Sequence, residues 1–395
     1  MIVDTRHRPA AFRPRPLEAL GLTGIVRRLD WVLLLAIGLL VGYGIWAIGG
    51  ITRFDVPGEP GYYVTRQAVA VALGTAGLLV AIFVPPSLYQ RHWRVLYGAT
   101  ISVMVLMFVF AEAIRGSKRW IDIGPFQFQP SEFGKLFFVL AIAGFLVERQ
   151  RRSGELQTVA AAVALGAVPV LLVFLQPDLG TALVYAAALI ALLFVSGVRW
   201  LHLAVLAVIG AVLLASIVWL LPASGIQILK PYQTARLTGF TNPDRDPSGL
   251  TYNLNQSITS IGAGGISGRG VDGASQTRLD YLPEHATDFV FASFAEQRGF
   301  LGASILLLLY LLIVWRGLRV ITVAADLFGA VVAGGIVFAF LFQVFVNVGM
   351  TMGIAPVTGI PLPFVTVGGS SMVANLFAVG VLQAIHARGQ PVGGR

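Results

Sequence analysis

A hydrocarbon core offers no water to an unpaired backbone group, so a chain built from successive apolar runs of roughly 20 residues has few ways to fold. Ten such runs are read here, at about 31–48, 68–84, 95–113, 133–147, 159–175, 181–198, 201–221, 300–315, 327–348 and 364–385. Hydrophobic residues make up 56% of the sequence and charged ones 12%, with a mean hydropathy of +0.79. A soluble protein of 395 residues would need more charge to cover its surface. The expected fold is therefore an all-α polytopic integral membrane protein of about ten transmembrane helices, with a large loop between the seventh and the eighth. Pro85-Pro86 should stop the second span, and Pro169 should kink the fifth.

The net charge of +9 does not point to nucleic acid, because the basic residues are sorted along the chain instead of gathered in one patch. With the N-terminus cytoplasmic, the same side receives Arg91, Arg94, Arg149, Arg151, Arg152, Arg199, Arg316, Arg319 and Arg388, while the other side is nearly balanced. This sorting divides the chain into a basic cytoplasmic tail over 1–30, a ten-helix domain over 31–386 with an extracellular loop at 222–299, and a cytoplasmic tail over 387–395. The Arg- and Pro-bearing first tail reads as a disordered topology signal or as a contact for anionic membrane lipid. The first run is full length, so it is expected to remain as a span and not to be cleaved as a signal peptide. Cysteine is absent, the five histidines have no ligand-like spacing, and no internal repeat is evident.

Four polar stretches interrupt the apolar pattern. In the first, Lys118-Arg119-Trp120 precedes Gln129-Pro130-Ser131-Glu132, and Pro130 suits the first turn of a helix. Glu132 and Lys135 then share a helical face, as a self-neutralising structural pair or as the lining of a cavity; Trp120 fits an interfacial belt equally well. In the second, Asp178 in Gln176-Pro177-Asp178-Leu179-Gly180 fits the N-cap of the sixth span. The third is the long segment before residue 300. Its Gly268-Arg269-Gly270-Val271-Asp272-Gly273 matches a dinucleotide fingerprint only formally, and its glycines are better read as permitting a tight loop. In the same segment Glu284, His285 and Asp288 gather where the chain returns to the membrane. A carboxylate at such an edge can serve as a general base, or Thr287 or Asp288 can simply cap the next helix. The fourth, from Asn347 to Ser371, holds enough proline and glycine to imply a broken or re-entrant segment.

Together these stretches resemble the SEDS family (shape, elongation, division and sporulation), its RodA branch most closely. The matching elements are RW, QPSE and K over 119–135, QPDLGT at 176–181, KPYQ with Arg236, and DPSG from Asp246. They continue with QS and IGAGG at 256–265, LPE and TDF at 282–289, and TGIPLP with GGSS at 358–371. The sequence departs from the family where Glu296 is followed by Gln297 in place of a second acid, and where Thr366-Val367 replaces the usual Ser-Tyr.

The resemblance implies a peptidoglycan glycosyltransferase that polymerises lipid II at the outer face of the bacterial cytoplasmic membrane. It places the family's essential carboxylate on Asp288, as the base that activates the acceptor hydroxyl. The departing pyrophosphate needs cations, for which Lys118, Arg119, Lys230 and Arg236 are the candidates. Trp120, Glu132, Lys135, Asp178, Glu284 and His285 complete the expected substrate-binding set. No cofactor is fixed by this reading, although a divalent cation (Mg or Mn) is a candidate assistant, and no residues are assigned to hold a metal. The implied partner is a single-span class B penicillin-binding protein. The alternatives are a lipid II flippase or other lipid transporter, which would depend on charges through the whole cavity, and a non-catalytic scaffold.

Overall fold

Each long apolar run becomes a helix, because a backbone in hydrocarbon has only its own carbonyls to bond. The computed structural model describes residues 21–110, 120–123, 126–225, 234, 239 and 251–389. A short helix, α1 (Leu22–Arg27), lies within the arm expected to be a tail. There follow α2 (Trp31–Ile51), α3 (Tyr62–Phe83), α4 (Pro86–Arg91) and α5 (Trp93–Phe110). A hairpin of β1 (Ile121–Ile123) and β2 (Phe126–Phe128) leads into α6 (Pro130–Glu148). Next come α7 (Leu156–Leu175), α8 (Leu179–Val195) and α9 (Trp200–Ala215), the last running on through a π turn to Ala223. After the long connection, α10 (Tyr252–Gly264), α11 (Gly270–Gly273) and α12 (Ser275–Arg278) precede α13 (Val290–Val323), α14 (Leu327–Thr351) and α15 (Gly369–Gly389). Among the described residues, eight helices are long and apolar enough to cross a membrane, and two shorter apolar ones (Trp93–Met107, Leu179–Val195) accompany them.

The helices α6, α14 and α15 are mostly buried and form the inner wall, whereas α9 is almost wholly exposed. One end of the bundle is tied at Asp30. Its carboxylate caps α2 by accepting from Leu33 N at 3.0 Å and accepts from Arg316 of α13 at 2.9 Å (Nε) and 2.7 Å (Nη2). Gln383 of α15 donates to Asp30 O at 3.0 Å and accepts from Asp30 N at 2.8 Å. A buried carboxylate unpaired would be costly; here an arginine fork and the Leu33 amide compensate it, while Gln383 satisfies the Asp30 backbone.

Two boundaries differ from the sequence expectation. Helix α13 begins at Val290, earlier than the eighth span was expected, but it is broken at Gly299, where φ is 67° and ψ is −168°, so its second part opens at residue 300, where that span was read. A Cβ at Gly299 would lie 2.3 Å from Gly268 N and 2.5 Å from Ile266 O, and one at Gly268 would lie 2.3 Å from Gln297 O. Of the formal fingerprint's glycines, Gly268 sits at a close backbone approach, against the break in α13, and Gly270 adopts φ 69° in the open, both in keeping with the tight-loop reading. At the other boundary α15 begins at Gly369, not at 364, because residues 352–368 are irregular and largely buried. Phe364 there has φ 66°.

Gly299→Ala combines a positive φ with a backbone clash, and should cost about 2 kcal/mol or more. Gly197→Ala, at φ 83° with nothing within 4 Å of its Cβ, carries the backbone cost alone, about 1 kcal/mol. Thermal unfolding of both variants in detergent should show the larger fall in Tm for Gly299→Ala.

Candidate functional site

Two polar regions emerge, one at the bundle centre and one at the mouth of the chain's return. At the centre, Pro130 occupies the first turn of α6 and places Glu132 and Lys135 one turn apart. Lys135 Nζ donates to both Glu132 oxygens at 2.9 Å and to Gln343 Oε1 of α14 at 3.2 Å. Both side chains are nearly fully buried. They border a space of about 30 Å³, with Gln343 and Asn375 also on its wall. Asp178 caps α8 as expected, accepting from Thr181 N at 3.1 Å, and its other oxygen accepts from Gln129 Nε2 at 3.3 Å. Gln129 N in turn donates to Ser370 Oγ at 2.9 Å, and Ser370 donates to Gln127 O at 2.7 Å, so the hairpin is fastened to the start of α15. The structure therefore joins Glu132, Lys135 and Asp178 to one buried polar layer. Trp120 sits half-buried at the entry to the hairpin. Lys118, Arg119, Lys230 and Arg236 lie outside the described residues.

At the mouth, residues 279–289 form a turn whose backbone is held from outside. Leu282 and Phe289 bury themselves with Ala292 beneath it. Glu284 adopts φ 55°, and its carbonyl accepts from Thr287 N and Phe289 N, each at 3.1 Å. Three successive carbonyls then accept from other elements: Ala286 from Val367 N at 3.1 Å, Thr287 from Thr366 Oγ1 at 3.3 Å, and Asp288 from Asn347 Nδ2 at 3.0 Å. Asn347 also donates to Ile360 O at 2.8 Å, so one amide clamps both the turn and the irregular segment before α15. The N-cap position of α13 falls on Phe289, one residue beyond Asp288, and the Phe289 side chain makes no cap. Asp288 itself is half-buried.

His285 and Glu284 are brought to the same mouth. Thr287 Oγ1 donates to Glu284 Oε2 at 2.8 Å. His285 Nε2 lies 3.0 and 3.1 Å from the Asp55 carboxylate oxygens, and its Nδ1 lies 3.1 Å from Leu282 O. Burial alone would lower the imidazole pKa, but the hydrogen bond and charge of Asp55, aided by Leu282 O and Asp280, outweigh it and raise the value. A cavity of about 450 Å³ opens here, with Asp55, Tyr63, Asp280, Glu284, His285 and Thr287 on its wall; Asp288 follows directly in the chain.

Sequence reasoning missed Asp55, Gln343 and Asn347, each of which reaches its partner across tens to hundreds of residues and carries no local motif. It also passed over the role of Glu296, a fully buried carboxylate that accepts from Gln276 N (2.9 Å), Thr277 N (3.0 Å) and Thr277 Oγ1 (2.7 Å) and so fixes α12. Among the described residues no group of three or more His, Cys, Asp or Glu is placed to hold a metal ion.

Fold and site together define a polytopic helical membrane protein with a buried ion pair at its centre and an acidic, histidine-bearing mouth at one end of the bundle. The family model of the FtsW, RodA and SpoVE cell cycle proteins matches residues 27–390. The chain belongs to that family. It is 35% identical over 348 residues to the peptidoglycan glycosyltransferase MrdB of Escherichia coli, covering 88% of this chain and 92% of the relative. It is 36% identical over 355 residues to stage V sporulation protein E of Bacillus subtilis, covering 89% and 93%. Among solved structures, a chain of a peptidoglycan synthase complex that coordinates polymerization and crosslinking superposes with a TM-score of 0.77 at 32% identity, over 91% of this chain and 97% of that one. The rod shape determining protein RodA of Thermus thermophilus gives a TM-score of 0.66 at 28% identity, over 91% and 96%.

Lys135→Met should destabilise by about 3–5 kcal/mol because it strands the Glu132 carboxylate without its partner. Adding Glu132→Gln should recover much of that loss, which a double-mutant cycle of detergent unfolding measures directly.

Proposed function

We propose that this chain polymerises lipid II into glycan strands at the outer face of the bacterial cytoplasmic membrane, in cell elongation and the maintenance of cell shape. The enzyme class is peptidoglycan glycosyltransferase, in keeping with the family and with the names its relatives carry. The observation that carries the finer reading is the clamped turn: three successive carbonyls up to Asp288 are held from outside, beside a cavity large enough for part of a saccharide. A general base needs this kind of fixed placement.

In the proposed step the Asp288 carboxylate takes the proton of the acceptor sugar hydroxyl. The hydroxyl oxygen forms the new glycosidic bond at the donor's anomeric carbon, and the bond from that carbon to the pyrophosphate breaks, its electron pair leaving with undecaprenyl pyrophosphate. Lys118, Arg119, Lys230 and Arg236 are proposed to receive the leaving charge, with Trp120, Glu284 and His285 at the substrate mouth. Glu132, Lys135 and Asp178 are proposed to close the inner end of the substrate path, beneath the space a sugar occupies. A divalent cation, Mg or Mn, is proposed to accompany the pyrophosphate of the substrate. The proposed topology puts ten spans over 31–386, the 222–299 loop outside, and the tails over 1–30 and 387–395 in the cytoplasm. The proposed partner is a class B penicillin-binding protein that crosslinks the strands. The flippase alternative gains no support from the centre, where about 30 Å³ holds a water or two but no sugar.

Asp288→Asn keeps the shape of the side chain and removes the base. Purified with the partner and given lipid II, the variant should polymerise at least about a hundredfold more slowly than wild type. Equal polymer from both proteins removes Asp288 from the mechanism, and lipid II crossing vesicles without polymer moves the case to transport.

A further inference from the structure

Both ring nitrogens of His285 face oxygen acceptors. On one side the partner is the Asp55 carboxylate, 3.0 Å from Nε2; on the other it is Leu282 O at 3.1 Å, with Asp280 Oδ1 at 3.4 Å from the same Nδ1. A neutral imidazole has one N–H and must leave one of these contacts unmade, whereas an imidazolium donates to both. The His285 and Asp55 side chains are only 11% and 17% exposed, so an unmade contact is expensive. Asp55 comes from the connection between α2 and α3 and lies 230 positions from His285 in sequence. The Asn347, Thr366 and Val367 contacts hold the turn from the side of α14 and α15; Asp55 holds it from the side of α2 and α3.

We propose that Asp55 is a positioning residue for the reaction: it fixes His285 as a doubly donating imidazolium and so latches the Asp288-bearing turn to the α2–α3 connection. The inference rests on Asp288 as the acceptor-activating base. The charged groups on the imidazolium are Asp55 from that connection and Asp280 from its own turn, and Glu284, Arg278 from α12 and Tyr63 from α3 share the cavity wall with it. The carboxylates outnumber Arg278, so the surroundings favour the charged ring. Because the folded pKa is raised above the ordinary 6.5, the latch is fully made below 6.5 and is lost as pH rises through the raised value. The site should therefore lose its ordering on the alkaline side, independently of the base, which needs alkaline conditions only to stay ionised.

The test compares wild type, Asp55→Asn, Asp55→Glu and Asp288→Asn in lipid II polymerisation from pH 6 to pH 8, alongside ¹⁵N-histidine NMR of the full-length protein in nanodiscs. The ratio of Asp55→Asn to wild-type rate should fall about tenfold between pH 6 and pH 8, as expected when the imidazole loses the carboxylate that holds its pKa up. Asp55→Glu, which restores the charge, should recover most of that fall. In the NMR arm the imidazolium signature of His285 should persist to higher pH in wild type than in Asp55→Asn. A flat rate ratio across the range, whether near one or uniformly low, overturns the proposal, since folding damage alone lowers the rate without a pH slope. An imidazolium retained to the same pH in Asp55→Asn overturns it as well. Failure of the base reading looks different: Asp288→Asn would polymerise normally, while the NMR arm still judges the Asp55–His285 latch by itself.

Discussion

Irregular backbone inside a membrane protein persists only where something else satisfies its polar groups, and the mouth of this bundle depends on that condition. The chain breaks its helices twice there, over 279–289 and over 352–368. The exposed carbonyls and amides are met by side chains from regular helices. Asn347 bonds Asp288 O and Ile360 O; Tyr310 donates to Pro363 O; Gln67 donates to Thr366 O at 3.2 Å and accepts from Gly368 N at 3.3 Å. Each is a polar residue on an otherwise apolar helix, so it is expensive unless used, and here each is used.

The two polar regions follow different logic. At the bundle centre the Glu132–Lys135 pair closes on Gln343, and Asp178 on Gln129, and the space beside the pair is small. Such a layer favours one packing of α6 against α8 and α14, because any slip would strand a buried charge. The mouth is instead open, and its charges face a cavity. The rigid layer and the clamped turn are joined through the segment before α15, since Ser370 touches the hairpin while Thr366 touches the turn.

Gly299 shows how sequence departures are absorbed. The family's second acid is replaced by Gln297, yet the neighbouring Glu296 keeps three donors and a fully buried carboxylate. The kink at Gly299 and the loop at Gly268 then pack backbone on backbone, which fixes where α12 and the turn above it must lie.

The sequence by itself determined the helical membrane class, because runs of apolar residues near the length of a bilayer leave the backbone no other solution. It also determined the local features set within one or two turns: Pro130 opening α6, the Glu132–Lys135 pair, and Asp178 as a cap. The cluster of ionisable groups before the apolar return marked Glu284, His285 and Asp288, and the LPE and TDF elements cover the first and the last. Only the tertiary structure decided that α13 starts at Val290 with a break at Gly299, that Asn347 holds Asp288 in place, and that Asp55 reaches His285. The reason is physical. Hydropathy and capping are properties of neighbours in sequence, whereas a clamp between residues 59 or 230 positions apart exists only after the helices that carry them have packed.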